Sequence, residues 1–285
     1  MGHGKSIRIF LIEGDSSGRW KLELSNWTGM AFKIPRSMVS ISTDRLELSN
    51  SGVYLLIGRS DDQLKEKVYI GESEDVLSRL NQHIANGEHE WQDWSECVVF
   101  VSKDNQLNKA MKKYLESSLY DLAKTADRCE LNNSNRPRKS TLSELDSSEM
   151  EEYLDNLRLL MGTMGYRFLE PSITKEQRED AIIFHYKSKR TECDAKGIIA
   201  EDGFVVLKGS IISNTVADSF VSSGYNSLRQ KLITEGTIKE RTFVKDHLFS
   251  SYSAAAAVVA GYNVNGWLNW KDDNGNSIND HFSDQ

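Results

Sequence analysis

Two short β-prone segments are followed directly by a segment whose apolar residues recur at helical spacing. This order limits what the chain can fold into. Residues 52–56 and 68–71 are apolar and rich in β-branched and aromatic side chains, and a polar loop separates them. Such a pair predicts a β-hairpin. In residues 76–84 the apolar side chains recur at helical spacing, which predicts an amphipathic helix. The order strand, loop, strand, helix predicts a small antiparallel sheet covered by helices.

Further strands and a long helix surround the predicted hairpin. Residues 7–12 and 20–24 are predicted strands, and 38–41 is predicted as a short extended segment. Beyond the hairpin, 97–101 is a predicted strand and 107–126 a long amphipathic helix with an apolar inner face. We therefore predict an α+β fold.

The chain is predicted to have four parts. Residues 1–50 form a β-rich N-terminal extension, and 51–135 form the domain that contains the hairpin. Residues 136–200 are a linker and helical connector, because the polar segment at its start interrupts the periodic pattern. Residues 201–285 form a second, smaller α+β accessory domain.

The last two parts also have predicted elements. The predicted helices are 149–161, 215–222, 225–234 and 254–260, and the predicted strands are 166–169, 204–207 and 267–270. Ser253 is the predicted N-cap of helix 254–260, and Gly261 is its predicted end. Asp273-Asn274-Gly275 predicts a hairpin turn.

Composition narrows the class of protein. A chain of 285 residues can form two domains, each with its own core. The net charge of -7 argues against indiscriminate binding to nucleic acid, but screening over about 8 to 10 Å lets a local basic patch outweigh this sum.

The three cysteines lack metal-ligand spacing, so free thiols and a cytoplasmic location are expected. No apolar run reaches the roughly 18 to 20 residues that span a bilayer, and no secretion signal is visible.

The hairpin contains two tyrosine motifs, Gly52-Val53-Tyr54 and Tyr69-Ile70-Gly71. Arg79 follows Tyr69 by ten residues, and His83 lies one helical turn further on the same face. Glu116 lies on the long amphipathic helix. In this order and spacing, residues 51–135 resemble the GIY-YIG nuclease family. Valine replaces isoleucine in the first motif, and the loop between the motifs is somewhat longer than is usual in the family.

The resemblance implies a role for each matching residue around a scissile phosphate. Tyr54 would orient or deprotonate the attacking water, and Lys67 would lower the pKa of its phenol, although Lys65 lies in the same loop. Tyr69 would contact the phosphate or the leaving oxygen. Arg79 would present its guanidinium to the phosphate oxygens.

The remaining implied roles concern the cation and the substrate. His83 would bind phosphate or assist proton transfer. Glu116 would hold one Mg²⁺ (or Mn²⁺), a hard cation that suits carboxylate and phosphate oxygens. Asn132 or Asn133 would contact the substrate beyond the helix.

Simpler interpretations stay open. Tyr54 and Tyr69 are also ordinary strand tyrosines, Arg79 an ordinary surface residue of a helix, and Glu116 an ordinary solvated carboxylate. The resemblance implies a metal-dependent endonuclease that hydrolyses phosphodiester bonds in DNA, in restriction, phage defence or DNA processing. The alternative is a catalytically inactive module on the same fold that binds nucleic acid or protein.

A second resemblance covers residues 203–278, which are similar to an uncharacterised domain that commonly follows GIY-YIG nuclease domains and also occurs in restriction-related proteins. The domain would contact DNA or a protein partner. Trp267 and Trp270 are three apart in a predicted strand, so they would point to opposite faces and at least one would be buried. The side chains available for a DNA-contacting face are Lys208, Arg229, Trp267, Trp270 and Lys271.

Overall fold

The computed structural model describes residues 4–60, 66–85 and 92–283. The chain divides into two compact units, Met1–Pro171 and Ser172–Gln285. Each unit combines a β-sheet with helices, so the predicted α+β class is confirmed. Within the described residues, no helix is long and apolar enough to cross a membrane.

The described part of the first unit is built on a seven-stranded sheet in the order β1-β2-β3-β6-β4-β5-β7. All neighbouring pairs are antiparallel except β5 and β7, which are parallel. The strands are β1 (Ile7–Leu11), β2 (Trp20–Leu24), β3 (Gly29–Pro35), β4 (Gly52–Arg59), β5 (Glu66–Ser73), β6 (Trp94–Ser102) and β7 (Cys129–Leu131).

Three helices of the first unit cover this sheet, together with short 3-10 turns. They are α1 (Val76–Ala85), α2 (Lys109–Ala126) and α3 (Glu144–Thr163). Alternate residues of β4 face opposite sides: Val53 and Leu55 pack with α2 and α3, whereas Tyr54 and Leu56 pack with α1. Both faces of β4 are therefore buried, which explains its nearly continuous apolar sequence.

The N-terminal strands belong to this sheet and not to a separate extension. Strand β3 pairs with β6 along its whole length, from Gly29 opposite Ser102 to Pro35 opposite Glu96. The segment 38–41, predicted to be extended, instead starts on the last residue of a 3-10 helix at Arg36–Met38 and leads into another at Ser42–Asp44. Pro35 ends the ladder, because proline has no N–H to donate.

The predicted linker and connector, 136–200, is shared between the two units. Helix α3 buries Tyr153, Leu157 and Leu160 in the core that α2 also lines, and so belongs to the first unit. The predicted strand 166–169 is instead a turn, because Gly165 takes a φ of 94° and the Tyr166 N–H donates to the Met161 carbonyl, which ends α3.

The second unit contains a four-stranded antiparallel sheet in the order β13-β10-β9-β8, and a small hairpin of β11 and β12. Its strands are β8 (Phe184–Ser188), β9 (Cys193–Ala200), β10 (Gly203–Val206), β11 (Ile238–Lys239), β12 (Thr242–Phe243) and β13 (His247–Phe249). Its helices are α4 (Lys175–Asp180), α5 (Gly224–Thr234), α6 (Tyr252–Ala260), α7 (Gly266–Asn269) and α8 (Ile278–Ser283).

Helix α6 occupies the core of the second unit. All residues of 254–260 are buried, which the small alanine side chains permit, and Gly261 ends the helix with a φ of 75° as predicted. The N-cap is Ser251 and not Ser253: its hydroxyl accepts from the Ala254 N–H at 3.1 Å.

Two further predictions for this unit are wrong. The predicted helix 215–222 is only a 3-10 turn at Asp218–Phe220, because the Ser213 hydroxyl bonds the Thr215 backbone and competes with helix formation. The predicted strand 267–270 is largely helix α7, which begins where the Asn265 side chain accepts from the Trp267 N–H.

The described cysteines Cys97, Cys129 and Cys193 are all buried free thiols, as expected.

Candidate active site

The β4–β5 hairpin presents its two tyrosines to the same face of the sheet. Tyr54 pairs with Gly71 and Leu56 pairs with Tyr69, so the phenols lie two residue pairs apart along one face. Their ring centroids are 6.2 Å apart. Tyr54 is 1% exposed, whereas Tyr69 is only partly buried. The phenol of Tyr54 therefore lies in the core, and the phenol of Tyr69 lies at the edge of the core.

Gly71 makes the position of Tyr54 possible. A Cβ atom at Gly71 would lie 2.5 Å from both Oη and Cζ of Tyr54. No real Cβ contact is this short, so any larger residue would displace the tyrosine ring or the strand. Gly71, in the second motif, is thus needed for the position of Tyr54, in the first motif.

Helix α1 adds a histidine to the two phenols. Oη of Tyr54 lies 2.8 Å from Nε2 of His83, and the donor depends on the histidine tautomer. The His83 ring lies edge-on to both tyrosine rings at centroid distances of 5.5 Å. His83 is 2% exposed. His83 is thus buried against the phenol of Tyr54.

Arg79 supplies a positive charge to the same cluster. It lies one turn before His83 on α1, and its Nη1 donates to Oε1 of Gln82 at 3.0 Å. Burial raises the pKa of Tyr54 and of Tyr69, and the guanidinium of Arg79 opposes the rise at both phenols. Both tyrosines therefore keep their protons at neutral pH, and Tyr54 needs an acceptor before it can act as a base.

Glu116 is a half-buried residue of α2, the helix that packs against the other face of the sheet from α1. Burial, followed by repulsion from Glu72, raises the pKa of Glu116 to about 7, and Lys113 opposes the shift. The Glu116 carboxylate is also close enough to Tyr69 to raise the pKa of that phenol, after the larger effect of burial. A carboxylate that is costly to ionise and near a second carboxylate is suited to a divalent cation, which would relieve both penalties.

The oxygen donors available here fit Mg²⁺ in kind. Carboxylate oxygens are hard ligands, and Mg²⁺ usually takes one or two of them together with waters and substrate phosphates. Among the residues described, no cluster of three or more histidine, cysteine, aspartate or glutamate side chains forms a complete cage. Phosphate oxygens and water would thus have to complete the coordination.

The structure does not bring Lys67 to Tyr54. Lys67 pairs with Gly58, four residues along the hairpin from the pair of Tyr54 and Gly71, a distance of about 13 Å along the strand. Its ammonium lies 3.1 Å from Oε1 of Glu130. The expected lowering of the Tyr54 pKa by Lys67 is therefore wrong, and Lys65 lies outside the described residues.

Asn132 and Asn133 form hydrogen bonds to the edge of β5. Strand β7 pairs with β5 only over Glu66–Val68, and the two asparagines continue the contact beyond it. The Asn132 N–H donates to the Val68 carbonyl at 2.8 Å. The side chain of Asn133 accepts from the Ile70 N–H at 3.1 Å and donates to the Ile70 carbonyl at 2.8 Å. The Asn133 amide is thus engaged with the backbone beside Tyr69.

Two residues at the site were not predicted, Glu72 and Lys112. Lys112 is 1% exposed on α2, and its Nζ lies 3.3 Å from Oε2 of Glu72. The sequence does contain a signal for Lys112: it lies four residues before Glu116, a spacing that puts both side chains on one helix face. Glu72 directly follows the second tyrosine motif, but the sequence alone does not place it beside α2.

The second unit buries two of the side chains expected on a DNA-contacting face. Trp270 is fully buried, whereas Trp267 is 41% exposed, so one tryptophan is in the core as expected, although the segment is helical. Arg229 is 4% exposed, and its guanidinium donates to the carbonyls of Val258 and Ser213. Trp267 and the exposed lysines Lys208 and Lys271 remain available at the surface.

Comparison with known proteins gives one result for the second unit. No curated protein and no solved structure shows a significant match to the chain. One family model matches the chain. Its match begins at the first residue of β8, whereas the resemblance seen in the sequence begins at residue 203. Residues 184–281, about the whole of the second sheet and its helices, match the family described as Domain of unknown function (DUF4357).

Proposed function

We propose that the first unit is a metal-dependent endonuclease of the GIY-YIG family that hydrolyses phosphodiester bonds, with DNA as its substrate. The observation that most supports the proposal is the convergence of Tyr54, Tyr69, Arg79 and His83 at one end of the hairpin. Glu116, on α2, lies close enough to Tyr69 to contribute to the raised pKa of that phenol. Four residues from three elements, β4, β5 and α1, thus support the roles that the resemblance implies.

Tyr54 and His83 would handle the proton of the attacking water. Because the pKa of Tyr54 is raised, its phenol is a poor base unless the proton can pass on. His83 accepts that proton through Nε2, at 2.8 Å from the phenol oxygen. Tyr54 orients the water, and His83 acts as the base through it.

Arg79 and Tyr69 would act on the phosphate. A guanidinium binds two phosphate oxygens at once and stays charged, so it stabilises the negative charge that develops during hydrolysis. Tyr69 retains its proton and can donate a hydrogen bond to the leaving oxygen. Its partial exposure would let this phenol reach a bound substrate.

Glu116 is the residue that would hold the divalent cation, Mg²⁺ or Mn²⁺. When bound, the cation would supply positive charge to the phosphate oxygens. Glu116 must be ionised to hold it, and its raised pKa makes that ionisation depend on pH near neutrality.

DNA as the substrate rests on the resemblance and on local positive charge near the site. Lys113 lies close enough to Glu116 to affect its pKa. The second unit would recognise DNA or a protein partner. A cytoplasmic location is also proposed, and the buried free thiols support it.

A plasmid nicking assay tests the proposed function. The full chain should convert supercoiled plasmid to the nicked form in the presence of Mg²⁺, and chelation should stop the reaction. Glu116→Gln should abolish nicking, whereas the matched control Glu74→Gln, which changes an exposed carboxylate nearby, should not. Equal traces for wild type and Glu116→Gln would favour the alternative, an inactive module that binds nucleic acid or protein.

A further inference from the structure

Strand β1 forms an outer edge of the seven-stranded sheet. It pairs with β2 over all of its residues, and in the part of the chain that the structure describes it pairs with no other strand. Ile9 is 43% exposed and Phe10 is 55% exposed. Successive residues of a strand point to opposite faces, so apolar surface is open on both faces of this edge. Such an edge is a template for the addition of another strand.

Strand β1 lacks the features that usually protect an edge. It contains no proline, its register with β2 is continuous, and Arg8 is its one charged residue. The edge strands β7 and β13 have only three residues each. Strand β8 is covered in part, because the His185 N–H donates to the Lys271 carbonyl at 2.7 Å. Short or covered strands offer little to a further strand, whereas β1 offers its full length.

The backbone of β1 determines which groups face the open edge. At one end of the strand, Ser6 accepts from the Ser25 N–H at 3.0 Å, and at the other end Ile12 donates to the Arg19 carbonyl at 2.9 Å. Alternate residues of an antiparallel strand bond to the same neighbour, so the even-numbered residues bond to β2. The residues whose backbone groups point away from β2 are Ile7, Ile9 and Leu11.

We propose that β1 is a dimerisation edge, at which β1 of a second copy of this chain adds antiparallel about a two-fold axis at Ile9. In this register Ile9 lies opposite Ile9 of the second copy, and the two residues exchange a pair of hydrogen bonds. The Leu11 N–H of each copy donates to the Ile7 carbonyl of the other. The Leu11 carbonyl is already used within the chain, where it accepts from the Gly14 N–H at 3.1 Å.

The side chains of β1 complement a second copy of themselves. On one face, Ile7, Ile9 and Leu11 would meet only one another. On the other face, Arg8 would lie opposite Phe10 of the second copy, in a pair without backbone hydrogen bonds, where Cα atoms are only about 4.5 Å apart. A guanidinium within about 6 Å of an aromatic ring is attracted to it, and the two arginines are not opposite each other.

This self-complementarity selects one register. A shift of two residues in either direction would pair only three residues of each strand, and in one direction it would place Arg8 opposite Arg8 of the second copy. Like charges directly opposite each other destabilise a sheet. The fit of apolar, aromatic and charged positions to their own two-fold copy is the reason to assign this edge to a second copy and not to an unrelated strand.

Sedimentation velocity of the full chain over about 1 to 100 μM tests the proposal, since small interfaces dissociate in the micromolar range. The wild type should change from monomer to dimer across this range. Ile9→Lys would place two ammonium groups opposite each other and should weaken the Kd of the dimer at least about tenfold. The matched control Ile41→Lys makes the same change at a residue of the first unit that is 56% exposed, and should dimerise as the wild type does.

Oxidative cross-linking tests the register. Ile9→Cys would place a thiol opposite its own copy at a Cα separation of about 5.5 Å, a distance that a disulfide spans. This variant should form a covalent dimer on mild oxidation, whereas Ile41→Cys should not. The natural cysteines of the described chain are buried and so should not compete.

Three outcomes would overturn the proposal: a wild type that stays monomeric up to about 100 μM, a dimer that Ile9→Lys leaves intact, and a dimer that Ile9→Cys does not cross-link. Thermal unfolding of each variant shows that the measurements refer to folded protein. None of these readouts involves cleavage, so the dimer and the proposed nuclease can fail separately.

Discussion

The phenol oxygen of Tyr54 lies 2.8 Å from Nε2 of His83, and both side chains are almost completely buried. The hydrogen bond joins the first tyrosine motif, on β4, to the last turn of α1. Because burial raises the pKa of Tyr54, the proton transfer that we propose needs both residues.

Removing only the Tyr54 hydroxyl should therefore reduce cleavage. Tyr54→Phe should slow plasmid nicking by about 10²-fold or more, since the path for the proton to His83 is lost. Tyr153→Phe is the matched control: it removes another buried hydroxyl, which donates to the Val101 carbonyl at 3.1 Å. The control should lose about 1 kcal/mol of stability but keep its nicking rate. Equal rates for the two variants would contradict the role of the pair.

Gly71→Ala should disturb Tyr54 without touching it chemically. The new Cβ would lie 2.5 Å from the phenol, so the ring or the strand must shift at a cost of about 1 to 3 kcal/mol. Nicking should fall with this shift. Gly162→Ala, in helix α3 with no atom within 4 Å of the new Cβ, should instead be stabilising by about 0.5 to 1 kcal/mol. Denaturant unfolding and nicking rates measure both effects, and a fully active Gly71→Ala would refute the steric argument.

Asn133→Ala tests whether this side chain holds the strand or the substrate. Loss of its two hydrogen bonds to Ile70 should cost about 1 to 3 kcal/mol and lower kcat, with little change in KM. Asn135→Ala, at an exposed position in the same segment, should do neither. If Asn133→Ala instead raises KM and leaves stability intact, the substrate contact implied by the family resemblance is correct.

Glu116 should make stability depend on pH in the absence of divalent cations. Its pKa rises from 4.5 to about 7 on folding, so the folded state holds the proton more tightly than the unfolded chain. Stability should therefore fall as pH rises from about 4.5 to about 7. Glu116→Gln should raise Tm by about 2 to 4 °C at alkaline pH but not below about pH 4. A Tm difference that is independent of pH would contradict the shift.

The position of α3 predicts where the chain can be divided. A fragment ending at residue 140 would lack Tyr153, Leu157 and Leu160, which complete the core beneath α2, and should be poorly folded. A fragment of residues 1–171 should give a cooperative thermal transition and retain nicking. Comparing its DNA binding with that of the full chain over a range of salt concentrations tests the second unit. A weaker salt dependence in the fragment would indicate DNA contacts by that unit, and an unchanged one would indicate a protein partner.

Local patterns were sufficient for the elements that position the site. Strands β4 and β5 and helices α1 and α2 were predicted because their apolar spacing is set by neighbours a few residues away. The pairing of β3 with β6 was not predicted, since its partners are more than sixty residues apart in sequence. The contact between Glu72 and Lys112 was not predicted either, because it joins two elements that are forty residues apart in sequence.

Some errors came from local patterns with two structural solutions. Trp267 and Trp270 are three residues apart, a spacing that fits one turn of helix, and the Asn265 cap decides for helix α7. Lys67 was assigned to Tyr54 because the two motifs are close in sequence. The antiparallel register moves it four residues away along the strand.

The place of β6 between β3 and β4 has a consequence for synthesis on the ribosome. The first three strands can form their own meander early, but the outer edge of β3 has no partner until residues Trp94–Ser102 have left the exit tunnel. Strand β4 meets β5 sooner, yet it needs the same late segment on its other side. The two halves of the sheet can therefore be joined only after β6 has been synthesised. Its pairing with β3 and β4 then joins them in a single step.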